Sequence, residues 1–245
     1  MNLGYRLNEY RQQIVFYKNI YRHYWNYGRH FNQTEQKRTE QDMIPKIIHY
    51  CWFGNGKQNE LIQKCISTWK EVLPEYEIVL WNENNFPVNK YPFAKQALQD
   101  KKWAFVSDVA RLHALYYYGG IYMDTDVEVL KPLDKFLYHG FFSGYESERH
   151  VPTGIMGGKQ YNKYVGLLLA WYNDYTYGKD FYEIANTRII TKITRMNFGL
   201  KLNGKKFEFE DSCYYPRDYF CPKVVGDQWD ITPNTCTIHH FTGLW

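Results

Sequence analysis

Asp124 and Asp126 are the pair in this chain best suited to hold a hard cation. They stand two apart in the strand-like run Ile121 to Leu130, where side chains at i and i+2 share a face, so both carboxylates project to one side and Thr125 to the other. Mg²⁺ or Mn²⁺ in a substrate site is commonly held by one or two protein carboxylates, with a bound diphosphate supplying further oxygens. A nucleotide substrate is thereby implied. A D-x-D triplet alone more often marks a solvated strand end or turn, and its weight here comes from what precedes it. Asp108 and Arg111 sit one helical turn apart in a segment whose Phe105, Val109, Leu112 and Leu115 recur at helical spacing, forming a polar ridge. On its own such a pair is an ordinary surface ion pair. Gly119 and Gly120 then end the helix, glycine accepting the left-handed backbone of a C-cap, and the chain turns directly into the acidic strand.

The elements that must position these groups alternate. A β-rich run from Lys46 to Trp52 ends in the turn signal Gly54-Asn55-Gly56, a helix follows from about Glu60 to Leu73 and stops at Pro74, and a second strand spans Glu77 to Trp81. A loop with Pro87 and Pro92 leads to the helices before the acidic strand. Such β-α-β-α-β order argues an open, mainly parallel α/β sheet with helices on both faces, in which ligands bind beyond the carboxyl ends of strands. Further on, Phe141 to Tyr145 and Thr153 to Gly157 read as strands, Tyr161 to Tyr175 and Phe181 to Met196 as helices. The final third should wrap over the site as loops and short strands. His49 has the strand periodicity of a buried residue and is not a catalytic candidate.

The constellation S-D-x-x-R followed by Y-x-x-G-G-x-Y-x-D-x-D, carried by Ser107, Asp108, Arg111, Tyr117, Gly119, Gly120, Tyr122, Asp124 and Asp126, resembles the sugar-binding region of glycosyltransferase family 32, which includes bacterial capsular glycosyltransferases. It is also similar to the glucosylating clostridial toxins. The resemblance extends to IPKIIHYCWFG at Ile44 to Gly54, to Trp81 and Asn82, and to HHFTGLW at His239 to Trp245. It implies a GT-A type, Rossmann-like sheet flanked by helices and a metal-dependent, retaining transfer in surface polysaccharide synthesis. The sugar would come from a nucleotide-sugar donor, UDP favoured over GDP, and go to a glycan or lipid-linked acceptor. By the same resemblance Asp126 ligates Mn²⁺ (or Mg²⁺), while Asp124 contacts donor hydroxyls or ribose and reaches the metal through water. Asp108 and Arg111 grip the donor sugar, Trp52 stacks on the base, and Ser107, Gly120 and Tyr122 complete the donor site. A core tryptophan capping the sheet is the plainer alternative for Trp52. His239, His240, Gly243 and Trp245 match a C-terminal segment that closes over the diphosphate. Imidazole suits Mn²⁺, and the resemblance favours His240 as the ligand, with His239 close behind, because H-x-x-G recurs in a neighbouring retaining family. The resemblance also implies front-face transfer without a covalent glycosyl-enzyme, as in GT-A enzymes that lack an obvious protein nucleophile, and this sequence shows no compelling one either.

Composition accommodates this without compelling it. The 245 residues, 44% hydrophobic and 23% charged, suffice for one sizeable core, and a formal charge of +4 without a dense basic run argues against a nucleic-acid partner. Aromatic residues make up 19%, which suits carbohydrate or base stacking and equally a tyrosine-rich core. Five cysteines without C-x-x-C spacing argue against a zinc cluster or disulfide framework. No N-terminal apolar run is long enough for a signal or anchor, so the expected setting is the bacterial cytoplasm, at the inner face of the plasma membrane. Residues 1–41 form a separate unit ahead of a catalytic domain at 42–245. In that unit Tyr10, Ile14, Tyr17, Tyr21 and Trp25 make an apolar helical stripe, and Arg11, Lys18, Arg22 and Arg29 a basic one. Two readings of this helix stand side by side, packing on the catalytic domain and a role in acceptor recognition or in peripheral seating on an anionic membrane. Two other functions compete for the whole chain: a haloacid-dehalogenase-like phosphatase, from D-T-D-V in a β context, and a non-catalytic carbohydrate-binding protein, from aromatic abundance.

Overall fold

β-Branched and aromatic residues make β1 (Ile47–Cys51), which pairs in parallel with β2 (Glu77–Trp81), Ile48 opposite Ile78 and Cys51 opposite Trp81. The structure, a computed structural model, describes residues 43–174 and 185–243. The extension at residues 1–41 and Trp245 therefore lie outside the described residues. Between the first two strands runs α1 (Glu60–Val72), where the Asn59 side chain accepts the Ile62 N–H at 2.9 Å and Glu60 and Lys70 complement the helix dipole. Pro92 opens α2 (Pro92–Gln99), and α3 (Trp103–Tyr118) then leads into β3 (Gly120–Met123), parallel to β1.

Beyond it come β4 (Val127–Val129), β5 (Phe141–Gly144), β6 (Ile155–Gly158), α4 (Lys163–Asp174) and α5 (Asn186–Phe198). They are followed by β7 (Phe207–Phe209), β8 (Ser212–Tyr215), α6 (Arg217–Phe220), a hairpin of β9 (Val224–Val225) and β10 (Gln228–Trp229), and β11 (Thr237–His239). Seven strands form one sheet in the order β2-β1-β3-β6-β5-β8-β7. Strands β2, β1, β3, β5 and β8 run one way, β6 and β7 the other, so the sheet is mainly parallel as the alternation predicts.

Both faces are covered. On one, Val106, Leu112, Tyr164, Leu168 and Ile190 from α3, α4 and α5 build a core. On the other, Trp69 of α1 and its C-cap Leu73, Val127 and Val129 of β4, and Phe220 of α6 pack on Ile48, Ile121, Met123 and Phe142. Strands buried on two sides carry no polar alternation, and every residue of β3, β5, β6 and β8 is buried.

One local expectation needs correcting. Asp124 and Asp126 are not inside a strand: β3 stops at Met123, and the Val127 N–H donates to the Asp124 carbonyl at 3.0 Å, closing a tight turn before β4. β4 then leaves the main sheet. The Trp69 indole donates to the Val127 carbonyl at 2.7 Å, the Val129 N–H donates to Thr68 at 2.9 Å, and β11 pairs with β4 in antiparallel register, His239 opposite Val127. That pairing returns the C-terminal segment to the acidic turn.

Candidate active site

Helix α3 runs through the middle of the molecule, and every residue from Val106 to Leu115 is buried. Its charged groups must therefore find partners or lose their charge. Arg111 Nη2 lies 3.2 Å from Asp108 Oδ1 and 3.3 Å from Asp124 Oδ1, and its guanidinium rests over the Tyr122 ring at 4.5 Å. Tyr122 in turn donates its hydroxyl to Asp124 Oδ1 at 2.9 Å, and Asn186, at the start of α5, donates Nδ2 to Asp108 Oδ1 at 3.0 Å. The Asp108–Arg111 pair, expected to grip the donor sugar, thus belongs to a buried network that joins α3 to the acidic turn. Burial pushes the Asp108 carboxyl up to about 6, against the pull of Arg111 and Asn186.

The turn is held from two sides. Asp124 N–H donates to the Gly154 carbonyl at 2.8 Å, and a Cβ on Gly154 would stand 3.0 Å from Asp124 Oδ2 and 3.1 Å from the His239 ring, so any larger residue would push on these two side chains. From the C-terminus, Thr242 donates its N–H and its hydroxyl to Asp126 Oδ2 at 2.8 and 2.9 Å. His239 Nε2 stands 3.3 Å from Asp126 Oδ1 and 3.9 Å from Asp124 Oδ2. Burial works against charge on this imidazole, but Asp126, the Cys221 sulfur and Asp124 outweigh it and hold its pKa up to about 10. Burial is likewise overcome at Asp126, whose carboxyl falls to about 2 under His239 and the two Thr242 bonds.

The preference for His240 is reversed by this geometry. His240 Nε2 meets Glu128 Oε2 at 2.9 Å and its ring stands at right angles to that of Trp229, and it is not among the groups that converge with the two aspartates. Asp124, Asp126 and His239 instead bring three ligand atoms within 4.8 Å of one another. Asp126 Oδ1 and His239 Nδ1 are buried without a hydrogen bond, and two carboxylate oxygens with an imidazole nitrogen suit Mn²⁺ or Mg²⁺. The residues present fit a divalent cation.

These groups line a cavity of about 300 Å³ shared by Asp108, Arg111, Asp124, Asp126 and His239, with Glu146, Thr153, Asn186 and Phe241. A second cavity of about 250 Å³ lies beside it, lined by Trp52, Gly54, Lys57, Trp103 and Ser107. Trp52 follows β1 as the acidic turn follows β3, so both cavities open at the carboxyl edge of the parallel strands. The half-buried Trp52 lines the second cavity, and its Nε1 donates to the Gly56 carbonyl at 2.7 Å. Two predicted donor contacts lie elsewhere. Gly120 lines neither cavity: at φ +110° it packs where a Cβ would be 2.6 Å from the Ile47 carbonyl. Tyr122 is buried beneath Arg111 and acts through Asp124 and Arg111. Sequence reading also missed Glu146, Thr153 and Asn186. Each is a single polar residue in an irregular segment or at a helix start, with no spacing pattern to mark it.

Residues 59–142 match the family described as "Glycosyltransferase sugar-binding region containing DXD motif". Inositol phosphoceramide mannosyltransferase 3 of Schizosaccharomyces pombe is 33% identical over 121 residues, covering 46% of this chain and 33% of the relative. A mannosyl phosphorylinositol ceramide synthase of Saccharomyces cerevisiae is 30% identical over 134 residues, covering 52% of this chain and 34% of its own. The chain thus spans about a third of the length of these curated relatives. Among solved structures, the PaToxG glycosyltransferase superposes with a TM-score of 0.52 at 20% identity, over 76% of this chain and 80% of that one. The fold is that of the GT-A glycosyltransferases. More particularly, residues 59–142 carry a glycosyltransferase sugar-binding region with a DXD motif, and the chain is similar to fungal mannosyltransferases over about half its length.

Proposed function

We propose that this protein transfers a sugar from a nucleotide-sugar donor to a hydroxyl of a glycan or lipid-linked acceptor, with retention of anomeric configuration. The observation that carries this reading is the convergence of Asp124, Asp126 and His239 beside the Asp108–Arg111 pair in one cavity. A divalent cation held by these three residues would supply Lewis-acid stabilisation of the negative charge on the departing diphosphate. Arg111, fixed between Asp108 and Asp124, adds positive charge within the same cavity. Asp108 and Asp124 offer carboxylate oxygens to sugar hydroxyls. Trp52, on the neighbouring cavity, offers an indole face for the base. The fungal relatives are named as an inositol phosphoceramide mannosyltransferase and a mannosyl phosphorylinositol ceramide synthase, which sets a mannose donor, with GDP as its nucleotide, beside the UDP-sugars and a lipid-linked hydroxyl among the acceptors. A role in surface polysaccharide synthesis is the other acceptor assignment. The phosphatase alternative is not favoured, because the region carrying the two aspartates matches a sugar-binding family.

The test is a thermal-shift and donor-hydrolysis screen of UDP- and GDP-sugars with and without Mn²⁺, since a ligand that binds the native state raises its melting temperature. A shift that needs both nucleotide sugar and Mn²⁺, and is lost in a folded Asp126→Asn protein, is expected. Full donor hydrolysis in EDTA would remove the metal-centred reading.

A further inference from the structure

Part of the cavity wall has hydrogen-bonding capacity that the Asp–Arg–His network leaves unused. Thr153 Oγ1 and Asn186 Oδ1 are buried atoms without a hydrogen-bond partner, and both residues line the cavity. Glu146 lines it too, and no hydrogen bond or ion pair from a described residue reaches its carboxylate. Its backbone, by contrast, is fixed. The Glu146 N–H donates to the His150 carbonyl at 3.0 Å, its carbonyl accepts the Cys221 thiol at 3.6 Å, and Glu148 in the same loop is paired with Lys223. Glu146 also follows the carboxyl end of β5, on the edge of the sheet where the acidic turn follows β3.

The chemistry of these three groups narrows what they can receive. A carboxylate and an amide oxygen only accept hydrogen bonds, and a threonine hydroxyl can accept or donate. An anionic group placed here would meet Asp108, Asp124 and Glu146 with Arg111 already shared between two carboxylates. Vicinal hydroxyls are the complementary ligand, and an acceptor buried without a partner carries a cost that such a ligand removes. We propose that Glu146, Thr153 and Asn186 form a hydroxyl-recognition subsite for an uncharged sugar ring, with Glu146 accepting its strongest hydrogen bond. The assignment rests on the glycosyl-transfer reading above. The ring belongs either to the donor or to the acceptor.

Calorimetry in Mn²⁺ with GDP, GDP-mannose, UDP and UDP-glucose, together with transfer to methyl α-mannoside, separates these sources in wild type, Glu146→Gln and Thr153→Val. If the ring is the donor's, the affinity a nucleotide sugar gains over its own diphosphate falls about tenfold or more in Glu146→Gln and less in Thr153→Val, as loss of a hydrogen bond to a charged group requires. The bare diphosphates then bind as before. If the ring is the acceptor's, donor affinities hold and the KM for the glycoside rises by a similar factor. Unchanged donor gains together with unchanged or undetectable transfer, in variants with native melting curves, overturn the subsite alone. Failure of wild type to bind any of the four nucleotides overturns the donor reading, and the subsite with it.

Discussion

His239 Nε2 lies 3.3 Å from Asp126 Oδ1, an approach created by the pairing of β11 with β4 that sets His239 opposite Val127. A cation at this site needs a neutral imidazole, whereas the metal-free protein keeps His239 protonated with its pKa raised to about 10. Binding must therefore expel a proton. Mn²⁺ affinity should rise between pH 6 and 8 by up to about tenfold per pH unit, and the rise should flatten in His239→Gln. Titration calorimetry in buffers of different ionisation enthalpy reads the proton directly. Identical pH slopes in wild type and His239→Gln would remove His239 from the ligand set.

Arg111 neutralises two buried carboxylates at once, so Arg111→Ala leaves Asp108 and Asp124 facing each other without compensation. Breaking a buried pair in this way costs about 3 to 5 kcal/mol, read as a lower urea midpoint. The loss should depend on pH with a definite sign. Asp108 already has its folded pKa raised from 3.8 to about 6 by burial, so its charge destabilises the native state above that range and the penalty is relieved as pH falls from about 6 toward 4. Removing Arg111 raises the Asp108 pKa further and moves the relief to higher pH. A deficit in Arg111→Ala that is equal at pH 5 and pH 8 would contradict the coupling.

The local parts of this site were legible in the sequence because they rest on local patterns. The i, i+3 spacing of Asp108 and Arg111 on a helix and the glycine pair ending it stand where those patterns put them, and the two aspartates do face one site, though from a turn. What was illegible depends on contacts between distant segments. In β11 Thr237, Ile238 and His239 are all buried, so no alternation marks which of His239 and His240 turns inward, and a one-residue shift of register would exchange them. The strand reading of Asp124 to Asp126 failed for a similar reason. The turn is closed by Val127 and braced by Gly154 and Thr242, and strand-like composition registers none of these contacts.

Gly120→Ala should be far more harmful than an added methyl group suggests. Gly120 has φ +110°, and a Cβ there would meet the Ile47 carbonyl at 2.6 Å and His49 Nε2 at 3.0 Å. His49 is itself fixed: Trp81 Nε1 donates to Nδ1 at 3.1 Å, so Nε2 carries the proton given to the Gly119 carbonyl at 2.7 Å. Burial keeps this imidazole neutral, its pKa lowered to about 4. Displacing Gly120 disturbs the β1–β3 pairing immediately ahead of the acidic turn. A loss of about 2 kcal/mol or more is expected from strain and overpacking together, with Mn²⁺-dependent stabilisation weakened as well. A melting curve like that of wild type would mean the backbone can relax around the methyl group.

Trp52 offers the sharpest separation between binding and packing, because it is half-buried and lines the second cavity, whereas its neighbours Cys51 and Phe53 are core residues. If its indole receives the donor base, Trp52→Ala should weaken free UDP or GDP by about 1 to 3 kcal/mol, the range for aromatic stacking on a base. Native stability should fall far less than the 3 to 5 kcal/mol usual for about a fully buried tryptophan. Trp103 provides the internal comparison. It lines the same cavity but stands against Gly54, where an added Cβ would lie 2.7 Å from its indole ring, so Trp103→Ala should cost stability first. Equal nucleotide affinity in wild type and Trp52→Ala, together with a large drop in melting temperature, would assign Trp52 to the core.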